Sequence, residues 1–397
     1  MSINPSMLKL GQVRSAIRET FEYGNRRAAE IGRDNVFDFS LGNPSIPPPE
    51  VVSETMLNLL RNESPVSLHG YTSAAGDYAV REAISRYLAS NFQASISPDG
   101  IYMTCGAAAS LTISLHALTE DGDEWIVFAP YFPEYRVFVE NAGAKLVVVP
   151  PEVEHFYIDF DAFKKALTPR TKGVIVNTPN NPTGVVLPRS VIETLCGILK
   201  EASATFGHTI YLLTDEPYRE LVYDASTEVP YIPSYYDATL VCYSFSKSLS
   251  LPGDRIGYIA VPNTMPQKAD VFAAICGAGR ALGYVCAPSF MQKIIPSCLG
   301  HVSDLETYRT NRDLLYDALT SYGFECVYPD GAFYLFLKSP TPDAKAFCEK
   351  AKEYELLLVP SDSFGFAGYV RIAYCVDTAM IMRALPAFKQ LALSYFH

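Results

Sequence analysis

A chain of 397 residues with 49% hydrophobic and only 19% charged residues can build a sizeable core and is too apolar for a disordered protein. Its formal net charge of −11 argues against nucleic acid as a partner, and no apolar run is long enough to span a bilayer, so no membrane is expected. The nine cysteines lack C-x-x-C spacing and read as small buried hydrophobes, among them Cys242, Cys326 and Cys375, which suits a reducing, cytoplasmic compartment.

The amino terminus, Met1-Ser2-Ile3-Asn4-Pro5-Ser6, lacks the basic segment and apolar core of a secretory signal. From about Tyr71 to Pro262, strand-like runs alternate with helical patterns. Residues 100–105, 124–129, 144–149 and 173–177 read as strands and residues 189–203 as a helix. This alternation predicts an α/β fold with a mainly parallel sheet between helices. The run Val174-Ile175-Val176-Asn177 leads into the turn Thr178-Pro179-Asn180-Asn181-Pro182-Thr183-Gly184. The strand 209–214 then delivers Asp215, with Tyr218 three residues beyond. Open α/β sheets bind ligands at that carboxyl end. Asp215 could instead cap the next helix, although Pro217 and Tyr218 make a poor capping box.

Two further strand-like runs, Leu240-Val241-Cys242-Tyr243 and Ile256-Gly257-Tyr258-Ile259-Ala260, flank Ser244-Phe245-Ser246-Lys247 and Arg255. A lysine in a low-dielectric site loses its proton easily, and the neutral amine can form a Schiff base. Two serine hydroxyls and a fixed guanidinium suit a phosphate dianion. Together they describe a socket for pyridoxal 5′-phosphate (PLP), with Lys247 on the aldehyde. The same stretch would also serve as a strand-ending lysine in a serine-rich turn. PLP works as an electron sink when a carboxylate keeps its ring nitrogen protonated, and Asp215 is the candidate.

Past this region the pattern changes. Residues 323–337 read as two strands joined by the Asp330-Gly331 turn, followed by a helix over 344–354, a strand over 369–375 and a terminal helix. The six histidines show no metal-ligand spacing, so no metal is predicted.

The order Asn181-Pro182-Thr183-Gly184, Asp215-x-x-Tyr218, Ser244-x-x-Lys247, Arg255 resembles the class I/II aminotransferases, PLP enzymes of fold type I. The likeness runs from Leu41-Gly42-Asn43-Pro44 to Arg371 in Tyr369-Val370-Arg371-Ile372-Ala373. It implies a large PLP-binding domain over 45–290 and a smaller α+β domain over 291–397, with residues 1–44 packed on the latter. It implies that Lys247 carries the cofactor and shuttles a proton, that Asp215 pairs with the ring nitrogen, and that Asn181 and Tyr218 bond the phenolic oxygen. Ser244, Ser246 and Arg255 would bind the phosphate with the helix start at Gly106, Ala107 and Ala108, where free amides attract anions. Tyr131 would stack on the ring, with Phe132 and Tyr135 as competitors for that place. Tyr71 would reach the phosphate of a partner subunit in a homodimer. Arg371 would grip the substrate α-carboxylate, opposite Gly42 and Asn43.

The implied activity is ping-pong transamination between an L-amino acid and a 2-oxo acid. The donor would be aspartate or an aromatic or apolar amino acid, with 2-oxoglutarate as acceptor. A C–S β-lyase needs the same Lys247 and Asp215 and stands as the alternative. A PLP-sensing regulatory domain fits less well, because such proteins carry a basic DNA-binding module ahead of the domain.

Overall fold

The computed structural model describes residues 3–12 and 15–396. Met1 and Ser2 of the amino-terminal reading, together with Val13, Arg14 and His397, lie outside those residues.

The first strand, β1 (Phe37–Asp38), belongs to the smaller half of the molecule. The large sheet takes β2 (Ile101–Thr104), β3 (Glu124–Phe128), β4 (Lys145–Val149), β5 (Thr171–Asn177), β6 (Tyr211–Asp215), β7 (Thr239–Ser244) and β8 (Gly257–Ala260). Their order is β2-β8-β7-β6-β5-β3-β4. All pairings are parallel except those of β8, which runs antiparallel to both β2 and β7.

Residue alternation explains how the sheet is clad on both faces. Tyr102, Leu240, Cys242 and Ile259 point into one apolar cluster with Leu111 and Leu115 of the helix Ala107–Leu118. Their strand neighbours Ile101, Met103, Val241, Tyr243, Tyr258 and Ala260 point into another. That second cluster is completed by Ile84 and Leu88 of the helix Tyr78–Phe92 and by Ile294 and Ile295 of the helix Ser289–Cys298. A strand buried on both faces needs apolar residues at every position, and Val174, Ile175 and Val176 of β5 supply them.

The smaller half contains β9 (Cys326–Val327), β10 (Tyr334–Lys338), β11 (Leu356–Leu357), β12 (Val359–Pro360) and β13 (Tyr369–Ala373). Four of these form an antiparallel sheet in the order β12-β13-β10-β9. β11 instead pairs in parallel with β1, Phe37 opposite Leu356, and Arg27 reinforces the join by donating to Glu355 at 3.0 Å. The Asp330-Gly331 turn between β9 and β10 is docked on the larger half. Gly331 N–H donates to Gly184 O at 2.9 Å and Ala332 N–H to Leu221 O at 2.8 Å. The two halves therefore meet beside the carboxyl ends of β5 and β6.

Candidate active site

Lys247 sits on a single helical turn, Phe245–Ser248, started by Ser244, whose side chain accepts from Ser246 N–H. Its amine donates to Gly42 O at 2.6 Å and lies 5.6 Å from the Phe333 ring centroid. Burial, helped by the Arg371 and Arg255 charges, lowers its pKa to about 8. The neutral amine is thus far more populated near physiological pH than it would be for a surface lysine, although the charged form still predominates below pH 8.

Asp215 ends β6 and is buried. Its Oδ2 accepts from Tyr135 Oη at 2.6 Å, while its Oδ1 is buried without a partner. Burial pushes its pKa up to about 7; the Tyr135 bond opposes that rise and Glu216 adds to it. An unpartnered buried carboxyl oxygen is costly, and a cationic N–H is what would satisfy it.

Asn177, at the end of β5, organises the neighbouring turn. Its amide donates to Asp215 O at 2.9 Å and its carbonyl accepts from Asn181 N–H at 2.8 Å. Asn181 Oδ1 in turn accepts from Arg371 Nη1 at 3.0 Å. The guanidinium of Arg371 also donates to Ser40 O and lies 4.6 and 5.2 Å from the Tyr334 and Phe364 rings, with its Nε unpartnered. Tyr218 Oη and Tyr334 Oη are 2.8 Å apart.

A separate cup forms where β2, β7 and β8 end. Gly106 has φ of +87°, and a Cβ there would lie 2.9 Å from Arg255 Nη2 and 3.3 Å from Ser244 Oγ. Ser244 Oγ and Ser246 Oγ are 2.7 Å apart. Ala107 opens the twelve-residue helix Ala107–Leu118, and no side chain caps it. Its first amides therefore face the cup unpaired. Arg255 spans the rim, donating to Pro252 O and Cys105 O at 2.9 Å each.

The family model "Aminotransferase class I and II" matches residues 34–388. The chain belongs to the class I and II aminotransferases. It is similar to a crystal structure of an amino transferase from Eubacterium rectale, at 54% identity over 100% of both chains and a TM-score of 0.98. It is 31% identical to an aspartate/prephenate aminotransferase of Thermus thermophilus, over 92% of this chain and 94% of that protein. It is also 27% identical to an aromatic-amino-acid aminotransferase of Thermococcus litoralis, over 95% of each.

The family uses PLP, and the residues of this aminotransferase fit that group. The orphaned Asp215 Oδ1, the lowered Lys247 amine and the cup that a Cβ at Gly106 would fill are the three matching observations.

Most of the residues singled out in the sequence gather here: Lys247, Asp215, Tyr218, Asn181, Arg371 and Gly42 joined by one chain of contacts, and Gly106, Ser244, Ser246 and Arg255 around the cup. Two stand apart within this chain. Tyr71 is 90% exposed, and Asn43 is exposed with no hydrogen bond among the described residues. Tyr131 is turned toward the smaller half: its hydroxyl accepts from Arg136 Nη2 at 3.3 Å, and a Cβ at Gly365 would overlap its ring. Both aromatics also pack on Tyr135, Tyr131 nearly parallel to its ring at 6.4 Å and Phe132 edge-on at 5.7 Å.

Asn177, Tyr334 and Ser40 escaped the sequence reading as functional residues, and Tyr135 entered it only as a candidate to stack on the ring, not as the partner of Asp215. Only Asn177 carried a local signal, as the polar residue that ends an apolar strand. His155 groups with Glu152 and Glu154 on the exposed loop after β4, their ligand atoms within 4.8 Å, with no ion present. Among the described residues no helix is long and apolar enough to cross a membrane.

Proposed function

We propose that this aminotransferase moves the amino group of an L-amino acid with an aromatic or apolar side chain to 2-oxoglutarate. The observation that carries the reading is the surround of Arg371: its guanidinium lies between the Tyr334 and Phe364 rings and beside Asn181, with one N–H still free. That free edge suits an α-carboxylate, and the rings around it suit an apolar side chain.

When bound, PLP supplies the carbonyl for the Lys247 amine and an electron sink for the substrate Cα. The protein's contribution is positional and electrostatic. Arg371 holds the carboxylate and so orients the Cα–H. Lys247, swinging from Gly42 O, would take that proton and return it across the amino nitrogen, to the carbon that was the cofactor's carbonyl. Asp215 Oδ1 accepts the ring N–H, and Tyr135 holds the other carboxyl oxygen so that the charge stays aimed. Tyr218 donates to the phenolic oxygen and Asn181 stands beside it. Ser244, Ser246, Arg255 and the amides after Gly106 bind the phosphate. Tyr131 covers the ring in this reading, with Phe132 as its competitor, since both pack on the Tyr135 that holds Asp215. Tyr71 completes the cup of a partner copy, which makes the enzyme a homodimer.

Aspartate is the second reading. Arg280 is exposed in the last turn of the helix Lys268–Ala281, and Tyr284, four residues on, comes near Arg255. It could supply a second cation for a distal carboxylate. A half-reaction screen separates the two. Phenylalanine, tyrosine, leucine and aspartate are each added to PLP-loaded enzyme, and loss of the cofactor's visible absorbance is followed. Fastest bleaching by the aromatic donors supports the first reading, and response to aspartate alone overturns it. Release of a thiol and pyruvate from cystathionine without bleaching would make the enzyme a β-lyase.

A further inference from the structure

Tyr334 lies on β10, in the half of the molecule that carries Arg371, yet its hydroxyl reaches the other half. Tyr334 Oη and Tyr218 Oη are each other's one hydrogen-bond partner among the described residues, at 2.8 Å. Burial keeps both protonated: it pushes Tyr334 up to about 12 and Tyr218 well above its ordinary value. Two oxygens therefore hold two protons, and only one proton can lie between them.

The surroundings decide which one. Around Tyr334 stand Arg371 of β13 and Cys375 just beyond that strand, and a Cβ at Gly42 would overlap its hydroxyl. Cys375 donates its own proton to Leu41 O, and a guanidinium accepts none. Tyr218 is the member of the pair close enough to feel the Asp215 carboxyl at the end of β6. Lys247 approaches from its helical turn, near the same Arg371 guanidinium and the same Cys375 thiol.

We propose that Tyr334 is a positioning residue that donates its proton to Tyr218 and thereby commits the Tyr218 proton to the cofactor's phenolic oxygen. The inference rests on the role given to Tyr218 above. A hydroxyl that accepts one hydrogen bond is a stronger donor of the next, so Tyr334 also strengthens that contact. The same ring lies 4.6 Å from the Arg371 guanidinium. One side chain thus joins the carboxylate grip to the group that sets the charge on the phenolic oxygen.

The test reads a titration rather than turnover. Visible absorbance of the loaded enzyme follows the proton on Lys247 Nζ. Negative charge on the phenolic oxygen holds that proton, and a donor to the oxygen weakens the hold, so loss of the donor raises the midpoint pH. Tyr218→Phe is expected to raise it by about 1–2 units, the worth of a hydrogen bond to a charged group. Tyr334→Phe, which keeps the ring beside Arg371, is expected to raise it by about half a unit. In a Tyr218→Phe background the second substitution should move nothing. No shift from Tyr334→Phe alone, or an equal shift in both backgrounds, overturns the inference while leaving Tyr218 in its role. A midpoint indifferent to Tyr218→Phe removes that role and this inference with it.

Discussion

At one end of the proposed cofactor site Asp215 is buried, with one oxygen held by Tyr135 and the other without a partner among the described residues. At the other end Arg255 is exposed and donates to two backbone carbonyls, with Tyr284 nearby. Tyr71, the side chain expected to close such a cup on a partner copy, stands 90% exposed. The ring end is preorganised within one chain, where low dielectric makes each fixed charge count for more. The phosphate end relies on charge and helix amides and is open to completion from outside. Chemistry should therefore be lost by changes at the ring end, and affinity by changes at the cup.

The largest effect is expected at Lys247. Lys247→Ala should lower transamination by about 10⁴-fold, since it removes the group that moves the proton. PLP should still bind through the cup, seen as retained absorbance after gel filtration. Borohydride reduction of the wild-type enzyme should fix the PLP mass on the Lys247 peptide. Label on another lysine would sink the assignment.

Asp215→Asn comes next. The amide keeps the volume and can still accept from Tyr135, but it cannot hold a positive ring nitrogen. The expected loss in kcat is about 10²-fold, typical of a preorganised charge. Near-wild-type turnover in this variant would mean that the buried oxygen serves packing instead.

How far these two ends were legible in the sequence differs for a physical reason. Lys247, Ser244, Ser246 and Asp215 lie at strand ends, where apolar runs stop and polar residues begin, and that transition is local. The partners that make the ring end work are not local. Tyr135 reaches Asp215 across 80 residues, Gly42 O meets Lys247 across 205 and Ser40 O meets Arg371 across 331. No periodicity encodes such pairings, because they follow from how strands and halves are stacked. Tyr131 and Phe132 show the same limit at one-residue scale. Adjacent aromatics after Pro130 are equivalent in sequence, and only the packing lays one parallel to Tyr135 with Gly365 at its edge and sets the other edge-on to Tyr135. The strands of the large sheet were legible as apolar runs, whereas the two-residue strands β1, β11 and β12 were not. Nor was the docking of the Asp330-Gly331 turn on Gly184.

A third prediction uses the lowered amine. Lys247 sits at about 8 because burial disfavours its charged form, and capture of PLP by cofactor-free enzyme needs the neutral form. The capture rate at fixed PLP should rise about tenfold per pH unit below 8 and level off above it. A surface-like amine would keep rising toward about 10.4. Stopped-flow absorbance from pH 6 to about 10 distinguishes the two profiles. Arg255→Gln should weaken PLP binding in this assay yet leave the inflection close to 8, because burial is the leading cause of the shift.

The smallest single-site effect belongs to Tyr71, and it tests the open end directly. Removing one hydroxyl from a phosphate contact should weaken PLP binding by about tenfold, the worth of one hydrogen bond to a charged group at its low end. If that hydroxyl comes from a partner copy, the loss has a geometry as well as a size. Tyr71→Phe subunits mixed with Lys247→Ala subunits form heterodimers in which one site carries both lesions and the other neither. At a PLP concentration that leaves Tyr71→Phe sites largely empty, mixing should restore activity toward one intact site per heterodimer. Were Tyr71 to serve its own chain, every site would keep one lesion and mixing would restore nothing. Light scattering fixes whether the active species is a dimer, and exchange of a mass-labelled subunit shows that mixing has occurred. A fully active monomer, or confirmed exchange without recovery, would show that the cup is completed by its own chain despite its exposure.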